Sequence, residues 1–311
     1  MAKVLYKYFN YKDGLLVLDN NKIRLNFPKY FNDPFDCNFN INQKNMDKTL
    51  DMIVEYGLIN ELRKIVDNSP SKKLFIIYLR MVFKIYEKIY KVDPRYLHNV
   101  LITSILKSKL ISGDIRKEID ENKEKVRKEY FDKILSYRDN ALISCFSKTN
   151  KSILMWSHYA DKHKGICIEF EQEDDEDFFD VKYQEERQNL DLFEIMSRML
   201  AYEYIGEKAD INDYRISNLI LSPFLCKSLE WKYEEEVRCI HPLSKLNDKI
   251  SLDKDEDGND MYLYKMDKIS KVYIGYKMEE LNKSNLVSLL REKNIPYVFV
   301  NASKDKYLLE I

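Results

Sequence analysis

The chain has 311 residues, 45% apolar and 33% charged, enough for one large folded domain or two ordinary ones and unlike a disordered chain. With 51 basic against 52 acidic residues, the net charge is -1, so the charge of the whole chain does not point to nucleic acid. Glycine is scarce, and neither G-x-x-x-x-G-K-[ST] nor G-x-G-x-x-G occurs, which argues against a glycine-rich phosphate loop.

In chain order, Val4–Phe9 and Lys22–Phe27 read as short strands, with a turn at Asp13-Gly14 and an apolar run Leu15–Leu18 between them. The turn sequence FNDPFD (Phe31–Asp36) follows, since the residue before proline is pushed out of the helical region. Residues 45–138 are helical in pattern: Leu50, Ile53, Val54, Leu58, Leu62 and Ile65 recur at three-to-four spacing. Within that block Leu74–Tyr90 is apolar nearly all round, and Ile115–Tyr137 alternates charges like a solvated helix. Ala141–Phe146, Gly165–Phe170 and Val181–Tyr183 read as strands, with a short helix at Trp156–Tyr159 and a solvated acidic loop at Glu171–Asp177. Helices are expected at Leu192–Ile205, Tyr214–Leu225 and Glu279–Lys293, and strands at Glu234–His241, Ile269–Gly275, Tyr297–Val300 and Tyr307–Ile311. The expected fold is α+β, a mixed and largely antiparallel sheet flanked by helices. Residues 1–44 and 139–311 would form its core domain, with 45–138 as an all-helical insertion that either caps the core or binds a partner.

Five cysteines (Cys37, Cys145, Cys167, Cys226 and Cys239), odd in number and widely spaced, suit free thiols in a reducing cytoplasm. Cys145 and Cys239 should be buried and inert. The start MAKVLYKYFN has no signal-peptide core, and no apolar run approaches the roughly 20 residues of a membrane helix, so a cytoplasmic protein without membrane contact is expected.

Three stretches mix aromatics with acids, amides or histidine in the way a ligand cleft requires. They are Lys7-Tyr8 with FNDPFD, MWSHYADKHKGICIEF (Met155–Phe170), and WKYEEEVR (Trp231–Arg238). If they form one site, the fold must bring Asn32, His158 and Glu236 together. On a strand, Glu234, Glu236 and Arg238 share one face. They form either a solvated ion-paired row or a carboxylate held by Arg238 and aimed into a cleft beside Trp231. Asn32, Asp33 and Asp36 are either an Asx-capped turn or contacts to a ribose or amide, with Phe35 as a stacking wall. His158 is either a general acid or base, or a histidine packed on Trp156. His158 and His163 stand five apart, which does not suit a helical zinc pair, and no resident metal is expected. A Cys145–His158 nucleophile pair lacks an orienting third group. Asp33, Asp36, Glu169, Glu234 and Glu236 would hold Mg²⁺ in a nuclease if they converged.

The same motifs carry a resemblance. KVLYKYF, FNDPFD, ISCFS, MWSHYADKHKG running into GICIEF, VKY, W-x-x-E-x-E-x-R and the late KVYIG resemble the bacterial family called domain of unknown function 2971, over about residues 3–40 and 141–311. Relatives of that family resemble accessory genes of bacterial conflict systems, which implies a toxin-like effector in anti-phage defence. The layout also resembles ADP-ribosyltransferase folds, with a polar or aromatic residue on the first strand (Tyr6, Lys7, Tyr8) and a glutamate on a later one. Lys7 departs from the histidine or arginine usual there. This resemblance implies NAD as a substrate, with Glu236, Glu234 and His158 catalytic. Tyr6, Lys7, Tyr8, Asn32, Asp33, Phe35, Trp156, Tyr159, Trp231 and Arg238 would hold NAD, and the acceptor would be protein or nucleic acid. The alternatives are the metal-dependent nuclease and a non-catalytic ligand sensor that binds a partner through 45–138.

Overall fold

Branched and aromatic side chains (Val4, Tyr6, Tyr8, Phe9) favour an extended chain over Lys3–Phe9 (β1), and Asn10 then caps a helix, Tyr11–Asn20 (α1), by accepting the Asp13 backbone N–H. The computed structural model describes residues 2–38, 138–173, 176–187 and 221–311, with positions 128, 132 and 136 alone between them. The expected turn at Asp13-Gly14 is therefore corrected to a helix. Gly14 reads as a turn residue, but its role here is close packing: a Cβ would lie 2.3 Å from Ile166 Cδ1. The helix ends at Asn21, whose left-handed backbone (φ 53°) returns its N–H to the Val17 carbonyl.

Further elements follow in chain order. They are β2 (Lys22–Leu25), β3 (Ala141–Ser147), α2 (Ile153–Tyr159), β4 (Ile166–Gln172), β5 (Phe178–Asp180), β6 (Lys182–Gln184) and β7 (Cys226–Ser228). After them come β8 (Glu236–Pro242), β9 (Ile250–Lys254), β10 (Asp260–Lys265), β11 (Lys268–Ile274), α3 (Glu280–Glu292), β12 (Tyr297–Phe299), β13 (Asn301–Ala302) and β14 (Leu309–Glu310). The main sheet has the order β12-β11-β4-β1-β3-β8-β5, antiparallel except for the β11–β12 pair. A second sheet, β2-β10-β9, lies alongside, so the α+β expectation holds, with antiparallel pairing dominant. The β9–β10 hairpin is an addition to the strands that the sequence pattern predicts. Its turn centres on Asp257-Gly258, and Gly258 takes the left-handed conformation (φ 81°) that makes Asp-Gly a hairpin signal. The last strand is also shorter than the Tyr307–Ile311 expected.

One face of the main sheet carries the larger core. Leu5, Leu142, Phe146, Ile166, Ile168, Phe170, Val237 and Cys239 meet Val17 and Leu18 of α1, Leu286 and Leu290 of α3, and Tyr262 and Tyr264 of β10. The opposite face is covered in part by α2, where Trp156 and Met155 pack on Tyr8, Cys167 and Tyr273. Ser152 caps α2 by accepting the Met155 N–H, and Trp156 donates its indole N–H to the Asn150 carbonyl at 2.8 Å.

The chain divides into two compact units: Met1–Cys37, Ser136–Arg187 and Leu225–Ile311 form one, and Asn38–Leu135 with Gln188–Phe224 the other. Both sheets belong to the first unit. The helices expected within 45–138 and at Leu192–Ile205 lie outside the described residues, apart from isolated helical positions, as does most of that at Tyr214–Leu225. Among the described residues, no helix is long and apolar enough to cross a membrane.

Two glycines let the turn after α2 approach its neighbours. A Cβ on Gly165 would stand 2.0 Å from the Phe9 carbonyl oxygen, and one on Gly275 would stand 2.2 Å from that of His163. Both obstacles are backbone atoms, which cannot rotate aside. Gly165→Ala is expected to cost roughly 1–3 kcal/mol through forced backbone displacement, read as a lower urea midpoint. An unchanged midpoint would show that the turn relaxes freely.

Candidate functional site

Register places the candidate residues. Tyr6 of β1 lies opposite Ser147 of β3, and Ser147 opposite Glu236 of β8, so the three form one row across adjacent strands on the α2 face. Paired residues of neighbouring strands point to the same side. One step along, Cys145 lies opposite Arg238. On the other side of β1, Tyr6 lies opposite Glu169 of β4. β1 and β3 meet at the Tyr6–Ser147 pair, and side chains supply further links between them. Lys7 Nζ donates to the Cys145 carbonyl at 2.6 Å, and the Tyr8 hydroxyl to the Thr149 carbonyl at 2.8 Å.

A cavity of about 340 Å³ opens over this row, within the size range of small-molecule sites. Its walls include Tyr6, Tyr8, Tyr30, Phe31 and Tyr159, with Lys7, Asn32, Ser147, Asp36, Lys227, Glu234 and Glu236 as polar members. The three stretches picked out in the sequence therefore contribute to one cavity.

The floor is an ion cluster. Arg238, with 0% exposure, donates from Nε to Glu236 Oε1 at 2.8 Å and from Nη2 to Asp36 Oδ2 at 2.7 Å, while its Nη1 reaches Asp36 Oδ1 at 2.8 Å. Lys227 Nζ lies 2.6 Å from Glu234 Oε2, 3.1 Å from Glu236 Oε2 and 3.6 Å from Asp36 Oδ2. The Tyr159 hydroxyl donates to Glu234 Oε1 at 2.6 Å, and Asn32 reaches that hydroxyl at 3.5 Å. Asp36, Glu234 and Glu236 thus face Arg238 and Lys227, and the Lys7 ammonium, which also acts on Glu236, is a third cation nearby.

The path of the chain into the cluster differs from the expected strand over Trp231–Arg238. Leu229–Glu234 is a 3-10 helix, Glu235 takes a left-handed conformation (φ 45°), and the strand begins only at Glu236. Glu234 thus reaches Glu236 by a turn, not by period-two alternation. The Ser147 hydroxyl pins that turn by donating to the Glu234 carbonyl at 2.6 Å.

The two glutamates differ in electrostatics. Burial opposes ionisation of Glu236, but Arg238 and Lys227 outweigh it and hold the carboxyl down at about 2. Burial raises Glu234, and Lys227 with the Tyr159 hydrogen bond offsets only part of that rise. Burial would discharge Lys227, yet its carboxylate neighbours keep it charged and push its pKa up. Burial lowers Lys7, whose ammonium packs over the rings of Phe146 and Phe9 on the larger-core face.

Several candidates stand elsewhere. His158 is exposed, against Tyr159 and Tyr233 at ring separations of 6.3 Å. The histidine packed on Trp156 is His163, which stacks at 6.5 Å and bonds Ser157 through Nε2 at 2.9 Å. Trp156 is a core residue. Asp33 accepts the Phe35 N–H at 2.9 Å as an Asx turn, and Phe35 is 62% exposed beneath Arg187. Trp231 sits outside the cavity lining, 4.9 Å below Lys227 Nζ. Glu169 is held at its own place on the sheet by Ser270 at 2.8 Å and Tyr273 at 2.7 Å. The five cysteines are free. Cys239 is buried, whereas Cys145 is partly exposed and lines the cavity, and burial pushes both thiols well above their ordinary value.

Sequence reading missed Lys227, Tyr30, Phe31 as a wall, and Tyr183, whose hydroxyl accepts the Glu236 N–H at 2.7 Å. Lys227 lies in an unremarkable Cys-Lys-Ser run, and only a three-residue strand parallel to β6 delivers it.

Residues 155–239 match the model of the family described as Protein of unknown function (DUF2971), so the resemblance carried by the motifs holds over that stretch. No curated protein and no solved structure matches the chain.

Removing one partner of a buried ion network leaves charges uncompensated. Arg238→Met is expected to cost about 3–5 kcal/mol. The pH dependence has a definite sign. The folded Glu236 carboxyl titrates at about 2 against an ordinary 4.5, so its stabilisation is full above that ordinary value and is lost as pH falls towards 2. Urea midpoints measured from pH 7 down to 3 should fall in the wild type and fall less in Arg238→Met. Parallel curves for the two proteins would contradict the pairing.

Proposed function

We propose that the cavity binds NAD and cleaves its nicotinamide–ribose bond, as a transferase or a glycohydrolase. The observation that carries this reading is a buried carboxylate, Glu234, with a single cation and a tyrosine hydroxyl as partners on the wall of an aromatic cavity. The tyrosine and phenylalanine faces suit stacking on a flat cationic ring such as the pyridinium of NAD. As the C1′–N bond breaks, its electron pair neutralises the departing nicotinamide and positive charge grows on the ribosyl carbon. A fixed carboxylate lowers the energy of that oxocarbenium-like state. Water or an acceptor nucleophile then attacks C1′ and passes its proton to Glu234.

Glu234 is assigned to the reacting carbon, in preference to Glu236, because two cations, Arg238 and Lys227, hold Glu236, whereas Glu234 has Lys227 and the neutral Tyr159 hydroxyl. Glu236 holds the floor instead. Tyr159 orients Glu234, and Asn32, at the cavity rim, is set to meet the carboxamide or a ribose hydroxyl. The setting proposed is a cytoplasmic effector of anti-phage defence, acting on a protein or nucleic-acid acceptor. The nuclease alternative needs open carboxylates, and here Asp36, Glu234 and Glu236 face Lys227 and Arg238. The sensor alternative shares the cavity but needs no turnover.

The test is release of nicotinamide from NAD by purified protein, with and without chelator. Glu234→Gln should slow release by about 10²–10³ in protein that still folds, with a lowered thermal midpoint, and that still binds NAD. Glu236→Gln should lower the thermal midpoint as well as turnover. Full activity in Glu234→Gln removes that residue from the reaction. Binding without release in the wild type favours the sensor, and activity abolished by chelator favours the nuclease.

A further inference from the structure

Among the three carboxylates of the floor, Glu234 is the one with a single cation. Asp36 and Glu236 each have Arg238 as well as Lys227, whereas within 4.0 Å and among the described residues Glu234 has Lys227 alone. Among the described residues, several charged or titratable groups act on Glu234. They are Lys227 from β7, Glu236 from β8, Tyr159 from α2, Tyr183 from β6 and Tyr233 from its own 3-10 turn, with Asp36 and Arg238 behind. The tyrosines are neutral below about pH 10, so they cannot balance a carboxylate. Glu236 opposes one.

We propose that Lys227 is a positioning residue that keeps Glu234 ionised and fixes its carboxylate towards the cavity. It acts through Glu234 and not on the reacting atoms. The geometry suits that work: a single ammonium bridges Glu234 and Glu236 at 2.6 and 3.1 Å with 5% side-chain exposure. The ring of Trp231 lies 4.9 Å from Nζ and limits its movement. Remove the ammonium, and Glu234 stands 3% exposed beside a like charge with only a hydroxyl for a partner. A carboxylate so placed takes a proton. Its Oε2 would then carry hydrogen, and it could neither stabilise a developing cation nor accept a proton.

The inference rests on the proposed function only in the use to which Glu234 is put. Its charge is measurable without any substrate. The experiment is a pH titration of the carboxyl carbons of glutamate by ¹³C NMR, with the Glu234 signal identified by its loss in Glu234→Gln. In Lys227→Gln and Lys227→Met the Glu234 midpoint should rise by about one unit or more, because the neutral replacements cannot offset burial. Lys227→Arg should hold it within half of that shift. Two substitutions of different shape guard against one that does not fold. An unmoved midpoint in either folded neutral variant overturns the proposal. If the wild type releases nicotinamide, the acidic limb of its pH–rate profile should shift upward in Lys227→Gln. A lower Tm with an unshifted limb marks a merely structural lysine and also overturns it. A wild type that never releases nicotinamide counts against the proposed reaction, and the titration alone then decides the role of Lys227.

Discussion

Arg238 is fully buried between Asp36 and Glu236, residues 202 and two positions away in the chain. A guanidinium cannot shed its proton in a protein, so taking it out of water requires carboxylates at hydrogen-bonding distance. That requirement fixes the turn at Phe31–Asp36 against the start of β8. Once those two are joined, Phe31 lies 5.7 Å under the guanidinium, and the cavity acquires one wall and its floor together. The cost is a cluster in which no member can be removed singly without exposing another.

The sheet supplies the other constraint. β1 and β3 meet at Tyr6 and Ser147, and the ammonium of Lys7 and the hydroxyl of Tyr8 take up carbonyls of the β3 side. The cavity lies over this junction, with Tyr6 and Tyr8 on one side and Glu236 on the other. α2 closes the tyrosine side through Trp156 and Met155 while presenting Tyr159 to Glu234. Packing and site therefore share the same helix. Trp156 and Tyr159 lie three residues apart, near neighbours on a helix, yet one fills the core and the other bonds at the cavity.

The fold was legible where periodicity is strong. β1, β3, β4, β11 and α3 stand within a residue or two of the positions their patterns gave. Two failures have physical causes. Asp13-Gly14 reads as a turn because glycine usually supplies backbone freedom, whereas here it supplies the absence of a Cβ against Ile166. Trp231–Arg238 reads as one strand because its charges alternate, but Glu235 breaks the backbone in a left-handed conformation that an ordinary glutamate does not announce. The site was legible as three motifs, and these do converge. What sequence could not give was the sorting within them. Trp156, Asp33 and Phe35 match the cavity residues in type but serve the core, the turn and the surface. Lys227 carries no signal at all until β7 places it among carboxylates.

The reading of the site turns on whether the cavity over Tyr6 and Glu234 takes the nicotinamide end of NAD. The most direct measurement is a crystal structure of the Glu234→Gln protein with NAD, a variant that should bind without turning over. The pyridinium ring is expected among Tyr6, Phe31 and Tyr159, with the ribose C1′ facing residue 234. NAD seated elsewhere on the molecule, or absent at saturating concentration, would contradict it.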